Sequence, residues 1–133
     1  MQTFIMERKI IAAAAFMGMT AIILGAFGAH ALKNNLSVEQ LNTFETGVKY
    51  QMYHALFLGF LAINSFLELK TKTTVFRLII LGILCFSGSL YLLATQNLSG
   101  INFKPIGIIT PIGGALLIGG WGVVLWNMIK KKQ

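Results

Sequence analysis

Charge is what this chain has least of. Asp, Glu, Lys and Arg make up 11% of its 133 residues, against about a quarter in soluble domains. Only four of them are acidic. No charged residue occurs from Ile10 to Leu32, from Tyr50 to Leu67, from Leu78 to Phe103 or from Pro105 to Ile129. A helix crossing a hydrocarbon core of ~30 Å needs about 20 residues, and each run approaches or exceeds that length. None shows the polar face that a soluble helix presents every third or fourth residue. With Cys85 alone there is no intrachain disulfide, and a thiol in the third run is expected to be inert packing. With no carboxylate inside any run, transport coupled to protons or sodium through an intramembrane acid has nothing to work with. Gly-x-Ser-x-Gly, His-Glu-x-x-His and phosphate-loop patterns are all missing. The two histidines lack an acid or second cysteine nearby, so a zinc site is short of ligands. No metal, no cofactor and no enzymatic activity are expected.

What is present is apolar: 56% of residues, with a mean hydropathy of +0.73. The expected fold class is all-α, an integral membrane four-helix bundle forming a single domain over 1–133. Its spans are placed at about 10–31, 50–67, 75–94 and 111–129. The formal net charge of +7 has no interleaved aromatics and does not describe a nucleic-acid surface. Instead, Arg8, Lys9, Lys70, Lys72, Arg77 and Lys130 to Lys132 fall on one side of a four-span topology. Lys33, Lys49 and Lys104 fall on the other. Eight against three predicts N-in, C-in, with membrane lipids as partners of the basic ends and no nucleic acid. Arg8-Lys9, an apolar run and Ala29-His30-Ala31 imitate a cleavable signal, but the run exceeds a signal's usual 7–15 residues and three spans follow. Met1 to Ile5 adds nothing the fold needs, leaving Met6 as an alternative start.

In the first span Ala14, Gly18, Ala21, Gly25 and Gly28 offer small residues at helical spacing, the condition for close helix contact in lipid. Ser37-Val38-Glu39-Gln40 is a capping box. It opens a short amphipathic outer helix, expected to bend near Gly47 into the second span, with one straight helix as the other possibility. Glu68 to Thr74 is expected to be a tight basic turn. Gln96 to Lys104 is read as a polar outer loop, and Ile106 to Ile109 as a non-helical lead-in. Thr110-Pro111 is read as N-cap and N1 of the fourth span. Gly119, with Gly113, Gly114, Gly120 and Gly122, makes that helix thin. Trp121 and Trp126 are expected on its lipid or interfacial side.

Alternating spans gather the scattered polar residues in the outer half of the bilayer: His30, Tyr50, Gln51, Tyr53, His54, Ser87, Ser89, Tyr91 and Thr110. One reading is hydrogen-bond glue and an aromatic belt. The other is a polar ligand-binding pocket in which His30 faces His54. In that pocket the N–H groups of Ile112, Gly113 and Gly114 present a helix N-terminus to an oxygen-bearing ligand.

Four segments, in this order and spacing, carry a resemblance: Gly25-Ala26-Phe27-Gly28-Ala29-His30-Ala31-Leu32, Tyr50-Gln51-Met52-Tyr53-His54-Ala55-Leu56, Phe86-Ser87-Gly88-Ser89-Leu90-Tyr91, and Thr110-Pro111-Ile112-Gly113-Gly114 with Gly120-Trp121. Together they resemble the domain-of-unknown-function 423 family of small bacterial membrane proteins. The resemblance covers nearly the whole chain. It implies a multi-span protein of the bacterial plasma membrane and no assigned activity. The expected role is a non-enzymatic accessory or binding protein. It would act alone, as a homo-oligomer or within a larger membrane complex. The alternative is a small oligomeric channel or transporter for an uncoupled solute.

Overall fold

A computed structural model describes residues 1–130; the expectation that Lys131 and Lys132 join the basic C-terminus lies outside them. The described residues contain no strand. They form four long helices, α1 (Gln2–Phe27), α2 (Val38–Ile63), α3 (Leu69–Ser99) and α4 (Ile109–Lys130). A π turn (Gly28–Leu32) extends α1, and a 3-10 turn (Lys104–Ile108) leads into α4. Gln2–Leu32, Leu69–Ser99 and Lys104–Lys130 are long and apolar enough to cross a membrane. The stretch expected as the second span does not stand out in that way, because Tyr50, Gln51, Tyr53 and His54 dilute it. Its helix ends at Ile63 rather than Leu67.

The capping box forms as its residues dictate. The Ser37 hydroxyl accepts the Gln40 N–H at 3.2 Å, and the Gln40 side chain accepts the Ser37 N–H at 3.0 Å. From there α2 runs unbroken through Gly47, so the expected separate amphipathic helix is corrected to one continuous helix. Gly47 instead lets α3 approach: a Cβ there would lie 2.7 Å from the Tyr91 ring and 3.3 Å from the Ser87 carbonyl. The basic turn is also shorter than expected. Asn64 Oδ1 accepts the N–H groups of Phe66 and Leu67, Leu67 enters the core, and α3 starts at Leu69. At the far end α3 stops at Gly100, whose φ of 69° is the left-handed C′ conformation that glycine adopts freely.

Packing runs in sequence: α1 on α2, α2 on α3 and α3 on α4, while α1 and α4 make no backbone approach within 8 Å. The two central helices therefore carry the core, and α2 is the most deeply buried. Ile10, Leu58, Leu61, Val75, Ile79 and Leu117 join three or more helices in one apolar cluster. A smaller cluster of Leu32, Leu36, Phe44 and Ala94 closes the other end. The α1 stripe packs on α2 as expected, with Gly18 against Ala55, Gly25 against Val48 and Gly28 against Phe44. On α4, Gly119 faces open space within this chain and meets no neighbouring helix of it. The seam is one register over, at Gly113 against the Phe86 backbone and Gly120 against Ile79, with Leu117 opposite Gly82. A glycine run tells which helix is thin but not which turn meets its neighbour.

At the end where α1 starts and α2 stops, Lys72 is 2% exposed and its ammonium reaches Glu7 at 2.6 Å and the Ala62 carbonyl at 3.0 Å. Lys72, counted above among the basic residues that flank the spans, is therefore buried and paired. One cation ties the first turns of α1 and α3 to the last turn of α2. Removing one partner of a buried pair strands the other charge and costs about 3–5 kcal/mol; Glu7 keeps some solvent contact, so the lower end applies. Glu7→Gln is expected to lower the melting temperature clearly. Adding Lys72→Met should recover most of that loss. Equal melting of Glu7→Gln and parent would show that the pair holds nothing together.

Candidate functional site

Gln51 is the residue on which the interior polar groups converge. It lies on α2, 5% exposed, opposite the middle of α1. Its Nε2 donates to the Met17 carbonyl at 2.9 Å and to Thr20 Oγ1 at 2.8 Å, while its Oε1 accepts the Tyr91 hydroxyl at 2.8 Å. The carboxamide thereby joins α1, α2 and α3. One turn away, Ser87 Oγ donates to the Gly47 carbonyl at 2.7 Å. Ser89 Oγ donates to the Phe86 carbonyl, so the 2.6 Å contact with Thr110 has Thr110 Oγ1 as donor. That bond joins α3 to α4. No buried side-chain polar atom among the described residues lacks a partner.

Thr110 is not the N-cap expected of it. The 3-10 turn delivers the chain already coiled, α4 begins at Ile109 and Pro111 falls inside its first turn. The lead-in of Ile106 to Ile109 is correspondingly helical. Gly113 and Gly114 then sit in the α-helical ladder, whose N–H groups bond four residues back, and the expected oxygen-binding helix terminus is corrected. Gly113 serves packing against Phe86.

The two histidines part company. With Gly28 opposite Phe44 and Gly18 opposite Ala55, His30 is level with the start of α2. His54 lies about twelve residues deeper, roughly 18 Å along the axis. His30 is exposed at the end of α1, and the expected imidazole pair is corrected. Tyr53 also turns outward, 56% exposed, with its ring set edge-on to Tyr50.

His54 has company that the sequence reading missed. Its Nδ1 lies 2.7 Å from the Tyr50 carbonyl. A carbonyl can only accept, so Nδ1 carries the proton and Nε2 keeps its lone pair. That lone pair accepts the Trp121 indole N–H at 3.2 Å. Trp121 also stacks on Phe57 with centroids 4.1 Å apart. It was expected on the lipid or interfacial side of α4, and about half of its surface is exposed. The inner edge is spoken for.

Beside this pair a recess of about 330 Å³ opens sideways between α2, α3 and α4. Tyr50, His54, Phe86, Gly114, Ile118 and Trp121 line it, with Leu117 at the inner side. Of the residues expected to form a pocket, Tyr50, His54 and Gly114 meet here. Gln51, Ser87, Ser89, Tyr91 and Thr110 are bonded to one another or to backbone elsewhere in the interior. Trp121 and Phe86 carry the clue that a sequence reading had available: aromatic residues on other helices at about the level of the polar ones.

The Gln51 junction makes its own prediction. Tyr91→Phe removes one bond, at a cost of about 0.6–1.7 kcal/mol for hydrogen bonds between membrane helices. Gln51→Leu removes three and should cost more. Because both touch the same amide, the double change is expected to melt close to Gln51→Leu alone. Additive losses in detergent thermal-shift measurements would show that Tyr91 acts through packing instead.

Comparison with known proteins adds a family. The family described as "Protein of unknown function (DUF423)" matches residues 24–114. A UPF0382 membrane protein of Staphylococcus saprophyticus is 44% identical over 116 residues, covering 87% of this chain and 92% of that one. A UPF0382 membrane protein of Haemophilus influenzae is 35% identical over 96% of this chain and 99% of its own length. The UPF0382 inner membrane protein YgdD of Escherichia coli is 34% identical, over 90% and 88%. No solved structure matches.

Proposed function

This chain belongs to the DUF423 family of membrane proteins, and from that premise we propose a non-enzymatic binding protein of the bacterial inner membrane. In this reading all four helices cross the bilayer as a bundle with both termini in the cytoplasm, and the protein works alone or as the accessory subunit of a larger complex. The crossing of α2 is supported by its partner: α1 is apolar enough to span, and α2 lies antiparallel along it from Phe44 to Ala62. Gln51 and His54, the most polar residues in that stretch of α2, face neighbours rather than lipid, which removes the objection to placing them at depth. Orientation rests on the basic residues: Arg8, Lys9, Lys70, Arg77 and Lys130 at one end against Lys33, Lys49 and Lys104 at the other.

The observation that carries the binding role is the recess beside His54. It is concave and aromatic, has a buried polar group at its edge, and opens toward where lipid would be. A channel is the weaker reading. Across the interior the core cluster from Ile10 to Leu117 is wholly apolar, and the polar groups beyond it are engaged with one another.

Two measurements test this. In a Cys85→Ala background, cysteines at Asn34 and Asn97 are expected to react with an impermeant thiol reagent on intact cells and one at Ser65 is not; labelling of Ser65 would reverse the topology. Parent protein and Ile118→Trp, which crowds the recess, are then purified in native-lipid discs and their retained small molecules compared by mass spectrometry. Parent is expected to hold at least one species that the variant loses, while Gly119→Ala loses nothing. Identical profiles would remove the binding role.

A further inference from the structure

The recess specifies more than a greasy slot. Resting on the binding role just proposed, we infer that it takes a neutral, membrane-borne phenolic ring whose hydroxyl donates to His54 Nε2 in place of the Trp121 indole.

Charge comes first. No Asp, Glu, Lys or Arg lines the recess, and a charged group moved there would lack any compensating partner. The ligand is therefore neutral. Shape comes next. Tyr50 and Phe86 stand with centroids 4.8 Å apart, and Trp121 closes the other side. Walls of this kind favour a flat ring that can stack or meet them by edge. Gly114 keeps the α4 side open, since a Cβ there would already be 3.7 Å from the Phe86 ring. A volume of about 330 Å³ sits at the low end for small-molecule sites, suiting one ring with the start of a tail. The sideways opening lets the rest of the tail lie in lipid.

The polar requirement is set by the imidazole. Because the Tyr50 carbonyl fixes the proton on Nδ1, Nε2 can only accept while the ring is neutral. A quinone or ketone oxygen, itself an acceptor, would displace the indole and leave Nε2 without a donor. A hydroxyl does. The present donor is replaceable: the indole bond is 3.2 Å long, and Trp121 is 52% exposed on the open flank of α4. When displaced, the indole N–H can donate to the oxygen of the incoming hydroxyl, so that neither donor is left unpaired in hydrocarbon, and the hydroxyl proton keeps Nε2 satisfied. Tyr50, whose hydroxyl has no hydrogen-bond partner among the described residues, stands beside the same opening and is free to meet a second oxygen on the ring.

The experiment uses full-length protein carrying Trp126→Phe, so that Trp121 is the only tryptophan, in discs of phosphatidylethanolamine and phosphatidylglycerol. The probes are 4-decylphenol and its methyl ether 4-decylanisole, which share ring and tail and differ only in the donor. A saturable change in Trp121 emission is expected with the phenol, and an apparent affinity at least tenfold weaker with the ether. His54→Phe, checked for helicity and melting, should bring the phenol down to the level of the ether. The phenol-to-ether ratio is measured within one protein, so it stands even if that variant does not fold. Equal binding of both probes would overturn the hydroxyl assignment and leave the recess as a ring site. No saturable response to either would overturn both the assignment and the recess itself.

Discussion

A single carboxamide in an apolar interior constrains everything around it. Gln51 has two donors and an acceptor that must be met without water. The fold meets them with a backbone carbonyl and hydroxyl of α1 and the phenol of α3. Each partner must stand at one height, so the registers of three helices are fixed together. Apolar packing alone leaves helices free to slide or rotate, since lipid is as good a neighbour as another leucine. The price of a polar residue on α2 is thus exchanged for a defined arrangement. Gly47 belongs to the same constraint, because Tyr91 reaches Gln51 only if its ring passes over a position with no side chain.

Much of this was legible in the residues. The charge-free runs gave the helices of α1, α3 and α4, Ser37 and Gln40 gave the start of α2, and Gly18, Gly25 and Gly28 gave the face of α1. What was not legible depended on register. The sequence places Gly113, Gly119 and Gly120 on one helix, but only the partner helix decides that Gly113 and Gly120 meet it and Gly119 does not. His30 and His54 both lie near span ends as counted along the chain. The unbroken course of α2 puts them on different levels. The capping box marks where α2 begins, so a helix continuing straight from it already carries His54 toward the middle.

Charge concealed more than it revealed. Lys72 reads as one more basic residue beside a span, and Glu7 as a lone acid among cations. Their meeting depends on α1 reaching back past Glu7 and on α3 starting at Leu69, and the second boundary follows the Asn64 turn rather than hydropathy. The pair also supplies what the end of α2 needs: the Ala62 carbonyl belongs to the last helical turn, where no intrahelical donor remains, and the ammonium provides one. The same contact thus satisfies a helix terminus and a buried charge.

The polar ties are unevenly shared between the flanking helices. α1 is held to the centre by two bonds from Gln51 and by an ion pair at its first turns. α4 is held by single neutral contacts: Ser89 with Thr110, Thr71 with Asn127 at 3.3 Å, and His54 with Trp121 at 3.2 Å. Its close fit to α3 comes instead from the glycine seam, where Gly113 and Gly120 let backbones and side chains interlock. Interlocked backbone resists sliding but says little about the side chains on the flank of α4 beside the seam. Trp121 stands on that flank, tied by one long bond and otherwise stacked. A recess bordered by such a residue can change its border without disturbing the seam. On the α1 side the same change would break a charge pair or a two-bonded amide. The division between a locked flank and an adjustable one is therefore built into which polar residues the two central helices offer to each neighbour.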